Sequence, residues 1–408
     1  MPALTQQLAQ TDTAATDTRQ AERIDALTSL RFIAAAMIVV THSVYAFNMD
    51  PTGNIGKLPL SQGVSFFFVL SGFILTYVYQ NLQGIKKTLR FLSARIARVW
   101  PVFFVTEIAA LLISPWSINA TTTGSMLSVA ASHFFMLHGW IPKRFYYFAL
   151  NAPSWSISTE FFFYLAFPFL ILNLRKQWLP KLVLVAAIPL MIITLCNVLG
   201  LKEIPGAKAI SSHGLIYINP LTRLLEFYAG MLVCLLVRSI KGRHASKVAI
   251  PASPALSSKI AFTALEIFAF VWIAAVIANT NQWLKLAGID AHSAAGMYLN
   301  YCGNALGYVV LIFAIAMQRG HVSRLLNLPA LIFLGEVSYS VYLWHSPLIE
   351  CYRQHTDLFM TIPRVLRYSL FWGVLLAVST LTYFVVEKPC RDILRHWLNK
   401  QVDKLPGV

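Results

Sequence analysis

Arg31 and His42 stand eleven positions apart in the run LRFIAAAMIVVTHSVYAFN, residues 30–48. The run is long and apolar enough to cross a bilayer. Eleven helical steps make three turns plus about 20°, so both side chains fall on one stripe, roughly 16 Å apart along the axis. Ionisable groups inside a span are costly and usually face a protein interior or water, which makes both functional candidates. Histidine titrates near neutrality and suits a general base or a nucleophile. Each residue also has a structural reading. Arginine anchors the inner edge of a span, and histidine joins helices by hydrogen bonds.

Three further stretches carry chemistry. In RFLSARIARVWP, Arg95 and Arg98 are three apart and neighbours on one helix face. Guanidinium forks recognise phosphates, although the same pair fits a positive-inside stop signal. Glu160, in PSWSISTEFFFYLAFPF, is a carboxylate within a span and needs a partner or a cavity. It is the candidate to orient His42, while the aromatic run beside it reads as packing. In LGEVSYSVYLWHSPL, Glu336, Tyr339, Tyr342 and His345 follow at threes. Tyr339, His345 and Glu336 are candidates for contacts at the outer site, though tyrosine and histidine are also ordinary interface residues. Arg223 and Glu226, three apart, are placed to pair with each other.

The elements that must position these residues are membrane helices. The 408-residue chain is 57% hydrophobic and 12% charged, with mean hydropathy +0.61. A soluble chain carries far more charge, and repeated apolar runs of about twenty residues indicate a polytopic α-helical membrane protein. The expectation is an all-α transmembrane bundle of about ten spans. They cover residues 30–48, 60–79, 100–117, 155–174, 181–200, 215–237, 259–279, 298–318, 329–349 and 366–387. The moderately apolar piece 126–140 competes as an eleventh. Charge decides against it. With ten spans and an inside N-terminus, 22 of the 33 Lys and Arg lie inside, eight outside and three within spans. An eleventh span would move the basic clusters after it outside, which the positive-inside rule disfavours. Residues 118–154 are therefore expected as an outer re-entrant or interfacial segment.

On this topology His42, Glu160 and His345 lie in the outer half, roughly 6–9 Å below the boundary. Arg31, Arg95 and Arg98 lie at the inner edge. A donor with an anionic head and a long thin arm suits that division. The net charge of +16 points to basic cytoplasmic loops, not to nucleic acid. The five cysteines are scattered and show neither a metal site nor a disulfide framework. Residues 1–23 are polar, lack an apolar signal core, and are expected as a disordered cytosolic tail. Residues 24–391 form one membrane domain, and 392–408 a cytosolic C-terminal tail.

Taken together, four stretches resemble the acyltransferase 3 family of integral membrane acyltransferases. They are Arg31 to His42; Arg95-Ile-Ala-Arg98 with Pro101; Trp155 to Tyr164 with Glu160; and SYSVYLWHSP at 338–347, with Val386-Glu387-Lys388-Pro389 closing the last span. No one stretch is specific, but their order over residues 23–391 is. The resemblance implies a multi-pass bacterial inner-membrane O-acyltransferase with both termini cytoplasmic. It would move an acyl group, most often acetyl, from cytosolic acyl-CoA to a hydroxyl of a cell-surface glycan or lipid-linked glycan. It also implies acyl-CoA as co-substrate with no resident cofactor, membrane lipid as surroundings, His42 as catalytic residue, and Arg95 and Arg98 as donor contacts helped by Arg31. Some family members carry an outer hydrolase-like domain after the bundle, and no room for one is expected before Val408. A rival from another class is a proton-coupled secondary transporter. That class is expected to show inverted repeats, and no internal repeat stands out.

Overall fold

The computed structural model describes residues 23–80, 82–114, 123–245 and 256–405. The predicted tail before residue 23 lies outside them. The described residues are helical throughout, with one isolated bridge between Lys143 and Ile210 and no strand.

Among the described residues, nine helical runs are long and apolar enough to cross a membrane. The first helices are α1 (Asp25–Ser43), α2 (Gly63–Val78) and α3 (Ile85–Ile113). A short α4 (Thr123–Phe134), a 3₁₀ turn (His138–Trp140) and a single-turn α5 (Arg144–Tyr147) follow. Next come α6 (Trp155–Ile171), α7 (Leu174–Val198), α8 (Pro220–Ala245) and α9 (Leu256–Leu286). The run continues through α10 (Ala294–Cys302), α11 (Ala305–Met317), α12 (His321–Leu326) and α13 (Pro329–Gln354). Last are α14 (Arg364–Thr382), a π-helical turn (Tyr383–Glu387) and α15 (Lys388–Asp403).

The ninth predicted span, 329–349, is α13, which is not among these nine apolar runs. It is long enough but more polar, because it is enclosed by protein. Ser338, Ser340 and His345 on it are fully buried. The predicted piece 126–140 breaks after Phe134. Twelve helical residues reach only about 18 Å, too short for a hydrocarbon core of about 30 Å. Several boundaries move. The first span runs 25–43 instead of 30–48, so His42 sits in its last turn. The third begins at Ile85, which puts Arg95 and Arg98 inside one continuous helix with Pro101. The predicted 298–318 is split around Gly303 and Asn304. The segment assigned as a C-terminal tail continues the last helix as α15, packed on α3.

Two helix contacts hold the centre. Between α2 and α8, a Cβ on Gly72 would stand 1.8 Å from the Phe227 carbonyl oxygen, and one on Gly230 1.9 Å from that of Val69. Between α1 and α13, a Cβ on Gly335 would stand 2.0 Å from the Thr28 oxygen. Small residues let membrane helices approach closely, because lipid supplies no hydrophobic drive between them. Arg223 and Glu226 pair as expected, at 2.5 and 3.0 Å, fully buried on α8. A third bond, from Arg223 to Ser65 Oγ at 3.0 Å, ties that pair to α2.

Candidate active site

The three predicted arginines meet in one cavity of about 420 Å³. Its walls come from α1, α2, α3, α6, α13 and the π-helical turn near Glu387. Helix register sets its axis. Along α2 the lining runs from Val78 to Val64, a span of about 21 Å at 1.5 Å per residue.

At one end, the arginine end, Arg23, Glu336, Tyr383 and Arg391 form the mouth. Arg23 is held there by Glu336 at 2.7 Å and Asp25 at 2.7 Å. The same end holds Arg31, Arg95, Arg98, Glu160 and Glu387. Five arginines thus face three glutamates, an excess of cation suited to an anionic ligand. Arg95 donates to Tyr79 Oη at 3.1 Å, and its Nε is buried without an acceptor. Such an orphaned charged donor is costly unless a ligand completes it.

Glu160 does not meet His42. It accepts from Tyr164 Oη at 2.6 Å and from Ser71 Oγ at 3.3 Å, within the cavity wall. The Tyr164 partner lies four residues on, one turn of the same helix. Tyr339 also lines the cavity and donates to the Val99 carbonyl at 2.8 Å, joining α13 to α3. Glu336, expected near the outer site, instead lies at the arginine end, where it holds Arg23 and Tyr383.

The cavity ends at Val64, Phe67, Phe68, Ser156, Ile157 and Tyr342. One helical turn beyond Tyr342 on α13 is His345. Its Nε2 lies 2.9 Å from His42 Nδ1, and the two rings stack with centroids 5.1 Å apart. His345 is fully buried, whereas His42 is exposed. The outer partner of His42 is therefore a histidine that spacing alone placed only as a contact.

Hydrogen-bond logic fixes the tautomers of this pair. His345 Nδ1 lies 2.5 Å from the Tyr342 carbonyl oxygen, which can only accept. His345 therefore carries its proton on Nδ1, and in the neutral ring its Nε2 is an acceptor. His42 must then donate from Nδ1. Its Nε2 is left with a free lone pair on the exposed side, the protonation state of a general base.

The segment before α6 braces this turn. Asn151 Nδ2 donates to the Leu343 carbonyl at 2.9 Å. Tyr342 Oη donates to the Pro153 carbonyl at 3.0 Å and meets Ser156 Oγ at 2.8 Å. Beneath it, His133 Nδ1 lies 3.2 Å from Glu107, and the His133 and His138 rings stack at 3.9 Å. Burial, then the neighbouring His133, hold the His138 imidazole well below the ordinary histidine range. Sequence spacing gave no hint of this group, since Glu107, His133 and His138 come together from three elements. Among the described residues no cluster of His, Cys, Asp or Glu is arranged to hold a metal ion.

Comparison with known proteins agrees with this layout. The acyltransferase domain family matches residues 24–386. Acyltransferase MdmB of Streptomyces mycarofaciens is 28% identical over 229 residues, 53% of this chain and 58% of its own. Peptidoglycan O-acetyltransferase OatA of Listeria monocytogenes is 24% identical over 379 residues, 90% of this chain and 56% of its own. The putative peptidoglycan O-acetyltransferase YrhL of Bacillus subtilis is 24% identical over 389 residues, 90% and 55%. The aligned region thus spans little more than half the length of these relatives. No solved structure matches the chain. With the family match covering nearly all of the bundle and both ends of the site, the chain belongs to the acyltransferase 3 family of membrane acyltransferases.

Proposed function

We propose that this protein transfers an acyl group, acetyl in the first instance, from acyl-CoA to a hydroxyl of a cell-surface glycan or lipid-linked glycan. The arginine end faces the cytosol, as do both termini, and the histidine end faces the outer side of a bacterial inner membrane. The donor's phosphates bind the arginine end, with Arg31, Arg95 and Arg98 as the inner contacts. Its pantetheine arm lies along the cavity and carries the thioester to the Tyr342 end. His42 Nε2 takes the proton of the acceptor hydroxyl, whose oxygen attacks the thioester carbonyl carbon. The carbon–sulfur bond breaks, and CoA leaves as the thiol by taking the proton that His42 Nε2 removed from the acceptor, which returns His42 to its neutral form.

The observation that supports this reading is the alignment of parts. A cation-rich cavity runs about 21 Å from the five arginines and stops one helical turn short of the His42–His345 pair. Glycan as acceptor is supported by the likeness to the peptidoglycan O-acetyltransferase OatA. Membrane lipid surrounds the bundle, and nucleic acid has no part in this chemistry.

Mass analysis of surface polysaccharide from strains with and without the gene tests the reading. Loss of a base-labile acetyl group on deletion is the expected result. Identical polysaccharide in the two strains, with the wild-type protein shown to be expressed, would refute it.

A further inference from the structure

We infer that Phe67 and Tyr342 form an end wall that limits the donor to short acyl groups. This rests on the donor reading of the cavity and goes beyond it by naming a length limit and the side chains that set it.

The lining of the cavity changes character along its axis. Five arginines and three glutamates occupy the mouth and middle, but the last stretch is Val64, Phe67, Phe68, Ile157, Ser156 and Tyr342. An apolar end beyond a cationic middle fits a thioester tail beyond a phosphate head.

The wall is firm on three sides. Tyr342 is pinned by Ser156 Oγ at 2.8 Å and the Pro153 carbonyl at 3.0 Å. Phe68 is buried and edge-on to Phe163 at 5.1 Å, with the Arg223 guanidinium 5.1 Å from its ring on another side. Val64 and Ile157 are also buried. Phe67 crosses Tyr342 edge-to-face, ring centroids 6.0 Å apart, and is itself only partly buried. At that separation the two rings are in contact, and an acyl chain that extends past the thioester carbonyl runs into them.

The chemistry also fixes where the acyl carbonyl must stop. It has to reach the last turn before His345, so carbons beyond the second are driven into Phe67, Phe68 and Tyr342. A hydrophobic pocket discriminates one methylene by roughly 10- to 200-fold. Phe67 is the adjustable member, because no hydrogen bond depends on its side chain.

The test measures affinity of purified, detergent-solubilised protein for CoA, acetyl-CoA, butyryl-CoA and octanoyl-CoA. In wild type, the two longer donors are expected to bind at least about tenfold more weakly than acetyl-CoA. Phe67→Ala should restore much of that loss, and the milder Phe67→Leu part of it. Phe67→Trp should steepen the ladder. Equal affinities across chain lengths in wild type, or an unchanged ladder in all three variants, would overturn the wall while leaving the donor site in place. No binding of CoA itself would overturn the donor reading and the wall with it.

Discussion

Replacing His345 separates positioning from packing. In His345→Phe the acceptor of the His42 Nδ1 proton is lost, while an aromatic ring of similar shape keeps the space filled. On the stability side, two hydrogen bonds are removed, the 2.9 Å bond to His42 and the 2.5 Å bond to the Tyr342 carbonyl, each worth about 0.5–1.5 kcal/mol net. On the rate side, His42 no longer holds its lone pair on Nε2, and most of the general-base contribution is at risk. That contribution is about 10²–10⁴ in rate, or roughly 3–5 kcal/mol in barrier. The two estimates differ enough to be told apart. His345→Gln offers an amide oxygen as a replacement acceptor and should recover part of the rate. Since His345 lies outside the cavity, donor affinity should stay within about twofold in both variants, judged against the tenfold that 1.4 kcal/mol represents. The assay is acyl transfer by purified protein beside thermal stability and acyl-CoA binding. A Phe variant with wild-type turnover would refute the tautomer argument. So would Gln and Phe variants that fall equally in rate while remaining equally stable.

Three further outcomes follow from other parts of the molecule. Arg95→Ala and Arg98→Ala should each weaken acyl-CoA binding, and lysine should restore only part, because a point charge does not reproduce the fork; unchanged affinity in the double alanine variant would return both residues to a topogenic role. Gly230→Ala must push apart α2 and α8, where its Cβ would lie 1.9 Å from the Val69 carbonyl oxygen, and should cost about 1–3 kcal/mol as overpacking does; a thermal midpoint equal to wild type would contradict the crossing. His138 has its folded pKa depressed by burial and then by His133, so its neutral form favours the folded state above the unfolded value. That stability is lost as pH falls below about 6.5 toward the lower folded value. Wild type should therefore become more protease-sensitive between residues 133 and 158 on acidification than His138→Gln, and parallel pH profiles for the two proteins would exclude it.

Much of the site was legible because it follows helix periodicity. The RxxR pair reaches one cavity because residues three apart share a face of α3, whose start at Ile85 takes in both arginines. The bidentate Arg223–Glu226 pair was visible for the same reason. Membrane spans were legible from hydropathy, α13 among them as 329–349, although its buried polar residues leave it less apolar than the others. What periodicity cannot supply is which helices become neighbours. Glu160 and His42 share a depth in the sequence reading, yet α6 turns Glu160 toward Tyr164 and Ser71. His345, 303 positions from His42, becomes its partner only because Gly335 lets α13 close on α1. Tyr342 acquires two roles, end wall and carbonyl anchor, that no local motif encodes. Glu336 was misplaced by grouping it with His345: it lies in the first turns of α13, at the arginine end, nine residues before His345.

Catalysis by His42 is tested most directly by transfer activity of His42→Gln and His42→Asn, purified and shown to bind acyl-CoA as wild type does. Both side chains still hydrogen-bond to His345, and neither takes up a proton at neutral pH. If His42 is the base, transfer should fall by about 10²–10⁴ in both with donor affinity retained. If His42 only joins α1 to α13, the loss is one interhelical hydrogen bond of about 0.6 kcal/mol, and either variant turning over near the wild-type rate would contradict the assignment.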